Sequence, residues 1–177
     1  MKKIVLFVVL LLTGCANIPL ATMLEMRSFD QNSFVQLNPE VIRTKIQLDE
    51  PVKIDLDSAE LSLAINSSKG VRLFQFPLEL VSEQNIAPEE GFIFTTPGKT
   101  EYTLKLSAEA IRSFEETQHV VASDAGSEFD ITVRTGFDDL PDHIDEIRLS
   151  IFLLLNEQRG YITLFEDAEL AINRDGE

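Results

Sequence analysis

The chain has one cysteine, no tryptophan, two tyrosines and two histidines. A single cysteine excludes any disulfide within the chain, so stability has to come from packing. Twelve phenylalanines stand beside those few polar-tipped aromatics. That balance argues against a sugar-binding surface, which favours rings with a polar handle, and assigns the aromatics to the core. Phe74, Phe76, Phe129 and Phe165 fall in strand patterns that would bury them. Phe92 and Phe94, beside Pro97-Gly98, fit either a cap on an open end of the domain or a small exposed patch.

Positive charge is scarce as well. Thirty Asp and Glu face 15 Lys and Arg, a net charge of −15. Nucleic acid and anionic head groups are bound by Lys and Arg that neutralise phosphates, and no basic run is present to do it. Nucleic acid is therefore excluded as a partner. The acidity is expected to be a well-solvated surface, with an acidic face for a basic partner or divalent cations as the alternative.

Catalytic signatures are missing. There is no Gly-x-Ser-x-Gly elbow, no glycine loop for phosphate and no His-Glu-x-x-His. His119 is expected at a helix C-terminus and His143 in an exposed acidic loop. The chain is read as a non-enzyme without catalytic residues or cofactors. Asp138, Asp139, Asp142, Asp145 and Glu146 crowd the 138–146 loop. Calcium takes about six to eight oxygens, but the Asp-x-Asp-x-Asp-Gly spacing of an EF-hand is not there, so a solvated loop is expected and no metal site. Asp49, Glu50, Asp55, Asp57 and Glu60 are expected to form an outward face.

One unbroken apolar run stands out, Ile4 to Leu12. At about 1.5 Å per residue it covers roughly half of a ~30 Å hydrocarbon core, too little for a permanent span. Lys2 and Lys3 precede it and small residues follow, the pattern of an export signal. Leu12-Thr13-Gly14-Cys15 then resembles the lipobox of bacterial lipoproteins at every position. The resemblance implies cleavage before Cys15, a diacylglycerol thioether on its sulfur and acylation, such as palmitate, of the new amino terminus. Ala16-Asn17 in place of an aspartate after the cysteine implies the outer membrane, with the domain facing the periplasm. Cys15 is thus the expected lipidation site, and the membrane a partner through its lipid. Two or more acyl chains make such attachment stable, whereas one is marginal.

The organisation expected is a cleaved signal at 1–14, a lipidated tether at 15–22 and one domain at 23–177. Met23 to Phe29 alternates like a first strand. Asp30-Gln31-Asn32-Ser33 is turn chemistry, and Asn38-Pro39-Glu40 fits a short helical turn, since Pro suits the first helical position. Ile42, Thr44, Ile46 and Leu48 line one strand face; Ile54 and Leu56 make a brief third run; Leu61, Leu63 and Ile65 line another strand. Val71 to Val81 follows across a hairpin loop, with Pro77 marking an edge or bulge because Pro cannot donate to a ladder. After Tyr102, Leu104 and Leu106, Ser107 caps the one expected helix, near 107–121. Phe129, Ile131 and Val133 are a strand. Ile147 to Leu155, turning at Asn156 to Gly160 and returning through Tyr161 to Phe165, is the clearest hairpin, and Leu170 and Ile172 suggest a last strand. Short strands at this spacing predict a mainly β fold, an antiparallel β-sandwich of immunoglobulin-like or transthyretin-like kind, with one short helix inserted.

Over the whole chain, Phe34-Val35-Gln36-Leu37-Asn38-Pro39 followed by Val41-Ile42-Arg43 is similar to a pattern in uncharacterised proteobacterial lipoproteins, from which no activity follows. Val71-Arg72-Leu73-Phe74-Gln75-Phe76 resembles a basic-apolar strand of the small outer-membrane lipoprotein of type VI secretion. The function expected is a membrane-anchored accessory or scaffolding protein that binds another envelope protein. The alternatives are that type VI lipoprotein and a carrier of an apolar ligand held between sheets, which predicts a cavity of several hundred Å³ rather than a closed core.

Overall fold

A computed structural model describes residues 19–67, 70–90, 95–122, 128–138, 140–141 and 143–172. Leu20–Arg27 is helix α1, where alternation predicted a strand, and it takes in residues 20–22 of the expected tether. Leu, Ala, Met and Glu are strong helix formers, and that propensity outweighs a short alternation. Gln31–Val35 forms helix α2 from what reads as a turn. Asp30 is its N-cap: Oδ1 accepts from the Ser33 backbone N–H at 2.8 Å and from its Oγ at 2.7 Å. These bonds hold the Asp30 carboxyl below its ordinary range. A 3₁₀ turn at Pro39–Val41 follows, capped by Asn38 as expected.

The fold is mainly β. Strands β1 (Arg43–Asp49), β2 (Lys53–Ser67), β3 (Gly70–Ile86), β6 (Lys99–Leu106), β7 (Glu128–Asp138), β8 (Glu146–Leu154) and β9 (Tyr161–Ala171) build one sheet in the order β7-β2-β3-β6-β1-β8-β9. Every neighbouring pair is antiparallel. A two-stranded ribbon, β4 (Glu89–Glu90) with β5 (Thr95–Thr96), stands apart. Where two stacked sheets were expected, the seven strands form a single curled half-barrel. The physical reason is the length of β3. Gly70–Pro77 pairs with β2, and Leu78–Ile86 pairs with β6, so one 17-residue strand joins both halves of the ladder. The bulge lies between Leu80 and Ser82, and Pro77 closes the 70–77 stretch, which among the described residues pairs with β2 alone and leaves its other side a local edge, one of the two places expected for it. It stands where β3 changes partner, a place that tolerates a missing N–H, and its carbonyl accepts from the Ser107 N–H at 3.1 Å.

Strict alternation sets the inner face. β1 and β6 bury every second residue, and Ile46 lies opposite both Tyr102 and Ile151. Helix α3 (Ala108–Ala122), capped by Ser107 through a 3.1 Å bond from the Ala110 N–H, packs into the curl with Ala110, Phe114, Thr117 and Val121 buried. The i, i+4, i+7, i+11 spacing puts those four on one helical face. Phe114 meets Phe34 and Phe76, each at a 4.9 Å ring separation, and Phe34 stacks on Phe129 at 5.9 Å. The Gln118 side-chain amide donates to the carbonyls of Phe34, Val35 and Leu37 at 3.0, 3.2 and 2.9 Å, tying the end of α2 to α3.

Candidate functional site

The sheet ends in two edge strands, β7 and β9, and the curl brings them toward each other. On the β7 side the ladder with β2 slips between Asp55 and Glu60. Residues 56–59 bulge there, and local bonds hold the bulge. The Asp55 Oδ1 accepts from the Asp57 N–H at 3.1 Å, and the Ser58 Oγ donates to the Asp55 carbonyl at 3.0 Å. The same Ser58 Oγ accepts from the Gly136 N–H at 2.7 Å. Gly136 permits that approach, because a Cβ there would lie 3.0 Å from Ser58 Oγ. Glu60 accepts from Gln75 at 2.9 Å and faces Arg134 at 3.8 Å.

Between the two edges lies an open cleft of about 740 Å³. Val133 and Phe137 from β7, Leu149 and Ile151 from β8 and Leu170 from β9 give it apolar walls, with Ser58 and Glu60 on the bulge side. Leu170, on the β9 side of the cleft, leaves 44% of its surface in water.

A charged network adjoins the β9 side. Opposite Ser150, β9 bulges, and Asp167 adopts a left-handed backbone, φ +46°. Its N–H donates to Ser150 Oγ at 2.9 Å and its Oδ1 accepts from Lys99 Nζ at 2.7 Å. Arg148 donates to Glu169 at 2.7 Å. The Lys99 hydrogen bond holds the Asp167 carboxyl below the usual range against partial burial, with Ser150 and Arg148 helping. Glu169 raises Arg148 in turn. Asp49 behaves oppositely. Burial pushes its carboxyl up despite the nearby Lys99 and Arg148, and its Oδ1 is enclosed without a hydrogen-bond partner among the described residues. The expected outward face at residues 49–60 is thus corrected: Asp49 and Glu60 are half-buried, while Asp57 is exposed.

Cys15 lies outside the described residues, as do Phe92, Phe94, Asp139 and Asp142. His119 sits in the last turns of α3 and His143 before β8, both exposed. Among the described residues no group of three or more His, Cys, Asp or Glu could hold a metal ion, and no helix is long and apolar enough to cross a membrane. Alternation signals each wall of the cleft, but nothing local signals that β7 and β9 would face one another. No protein-family model, curated protein or solved structure matches the chain.

Proposed function

We propose that this chain is an acylated envelope protein, held on the outer membrane through Cys15, whose β domain binds another envelope protein and performs no catalysis. The observation that carries the reading is Leu12-Thr13-Gly14-Cys15, a complete lipobox pattern ending at the chain's single cysteine. The described chain starts at Pro19, and α1 is docked on β9 through a 2.6 Å bond from Thr22 Oγ1 to the Thr163 carbonyl. Four residues span at most about 14 Å, so acylation of Cys15 would hold the domain close to the bilayer. We read the two halves of the curled sheet, folded over a shared core, as the counterpart of the two layers of an immunoglobulin-like or transthyretin-like sandwich.

Labelled palmitate tests the anchor. The wild-type chain should incorporate it and fractionate with the outer membrane, and Cys15→Ser should do neither. Equal labelling of the two would sink the reading.

The cleft favours a protein partner over the carrier alternative. Its open side suits a polypeptide, and the space inside the curl, where a carried ligand would lie, is packed with Phe34, Phe76 and Phe114. The type VI alternative rests on Val71–Phe76, which forms the first half of β3 with Val71 and Leu73 exposed.

A further inference from the structure

We infer that the cleft between β7 and β9 receives an extended segment of another protein in which apolar residues alternate with Lys or Arg. This deepens the protein-binding reading above and rests on it only for the kind of partner, since the site itself is drawn from the fold. Three observations converge. The first is backbone. Among the described residues β7 pairs only with β2, and β9 only with β8, so each presents an outer edge able to bond a further strand. Helix α1 reaches the β9 edge at Thr163, which leaves 165–171 as the accessible run.

The second is the apolar floor. Val133, Phe137, Ile151 and Leu170 line the cleft, and in a strand laid over them every second side chain would point down. The third is charge. β9 carries Glu166, Asp167 and Glu169 with no basic residue, and β7 carries exposed Asp130 and Asp138. The basic groups nearby are Lys53, Lys99, Arg134 and Arg148. Lys99 holds Asp167 at 2.7 Å, Arg134 faces Glu60 at 3.8 Å and Arg148 holds Glu169 at 2.7 Å, which leaves Glu166, Asp130 and Asp138 against Lys53. The rim stays net negative, and the upward side chains of an occupant would meet it favourably if basic. Charge also decides against a second copy of this chain. Pairing β9 with β9 would set Glu166, Asp167 and Glu169 against their own kind, which is destabilising for like charges directly opposed.

The test uses the full chain, as wild type and as Cys15→Ser, with a fluorescein-labelled eight-residue peptide of alternating Lys and Val. A control peptide of the same charge has two Val replaced by Pro, which removes strand N–H donors. The alternating peptide should bind roughly tenfold tighter than the control, equally in both proteins, and more weakly at high salt. Hydrogen exchange should slow at residues 131–137 and 167–171. The rim variant Asp130→Lys with Glu166→Lys should weaken binding roughly tenfold. Equal affinity for the two peptides, or protection elsewhere than β7 and β9, overturns the inference. Because Cys15→Ser enters only the labelling test as a loss, loss of the anchor and loss of the cleft are scored separately.

Discussion

Asp167 and Ser150 clasp each other across the β8–β9 ladder at the point where its register slips. The Asp167 N–H donates to Ser150 Oγ at 2.9 Å while the aspartate backbone sits at φ +46°. A side chain that tolerates the left-handed region, and a hydroxyl in place of the missing ladder partner, let β9 continue through the bulge to Leu170 and the cleft. Of the strand expected separately at Leu170 and Ile172, Leu170 belongs to the far end of β9, which stops at Ala171 just before Ile172.

Asp167→Val should destabilise the fold by about 1–2 kcal/mol more than Asp167→Asn, because a β-branched residue strains at positive φ while asparagine does not. Urea unfolding of the two variants measures the difference.

The pH dependence follows from two opposed carboxylates. The folded value of Asp167 is lowered by Lys99. It therefore contributes stability above its unfolded value, and that contribution is lost as pH falls through the folded value. Asp49 is raised, chiefly by burial. Its ionised form costs stability at neutral pH, and the cost disappears as pH falls below the unfolded value. Asp49→Asn should therefore be more stable than wild type at pH 7, with the gap closing on acidification. Asp167→Asn should be less stable at pH 7, with its gap also closing. Denaturant midpoints across the acid range check both signs.

Gln118→Ala should cost about 1–3 kcal/mol, since it leaves the Phe34, Val35 and Leu37 carbonyls without their shared donor. Faster hydrogen exchange confined to α2 and the turn after it would mark the local release. Phe114→Ala should be costlier, about 3–5 kcal/mol, because it opens a hole between Phe34 and Phe76.

Gly136→Ala should cost about 1–3 kcal/mol through crowding on Ser58 Oγ, 3.0 Å from the added carbon. In a Ser58→Ala background the same change should cost less. A double-mutant cycle tests it: strict additivity would remove the contact as the reason for glycine there.

Most elements were legible from residues alone, because their signals are local. Alternation at Thr44, Ile46 and Leu48 marks β1, and Ser107 marks the start of α3. Asn156 and Gly160, at φ +76°, mark the turn of the last hairpin. Where local signals compete, the reading fails. The 23–29 alternation lost to helix propensity, and Asp30 served as a cap for α2 rather than as a turn. The brief run at Ile54 and Leu56 and the strand at Leu61, Leu63 and Ile65 are one strand, β2, with a bulge between Asp55 and Glu60. The bonds that tie it to β7, from Thr135 Oγ1 to the Asp55 carbonyl and from the Gly136 N–H to Ser58 Oγ, cross 80 and 78 positions of sequence.

By itself the sequence determined most of the strands and the start of α3, the one face each of those strands buries, the excess of negative charge and the lipobox pattern ending at Cys15. These depend on side-chain periodicity, caps and composition, all readable within a few residues. Only the tertiary structure decided that β3 would serve two partners, so that one sheet curls instead of two stacking. Only it brought β7 and β9 face to face over a shared apolar floor, and set Asp49, Lys99, Arg148 and Asp167 side by side. Periodicity says which face of a strand is buried, but not which strand lies next to it. Partner choice is settled by packing the whole core at once, around Phe34, Phe76 and Phe114.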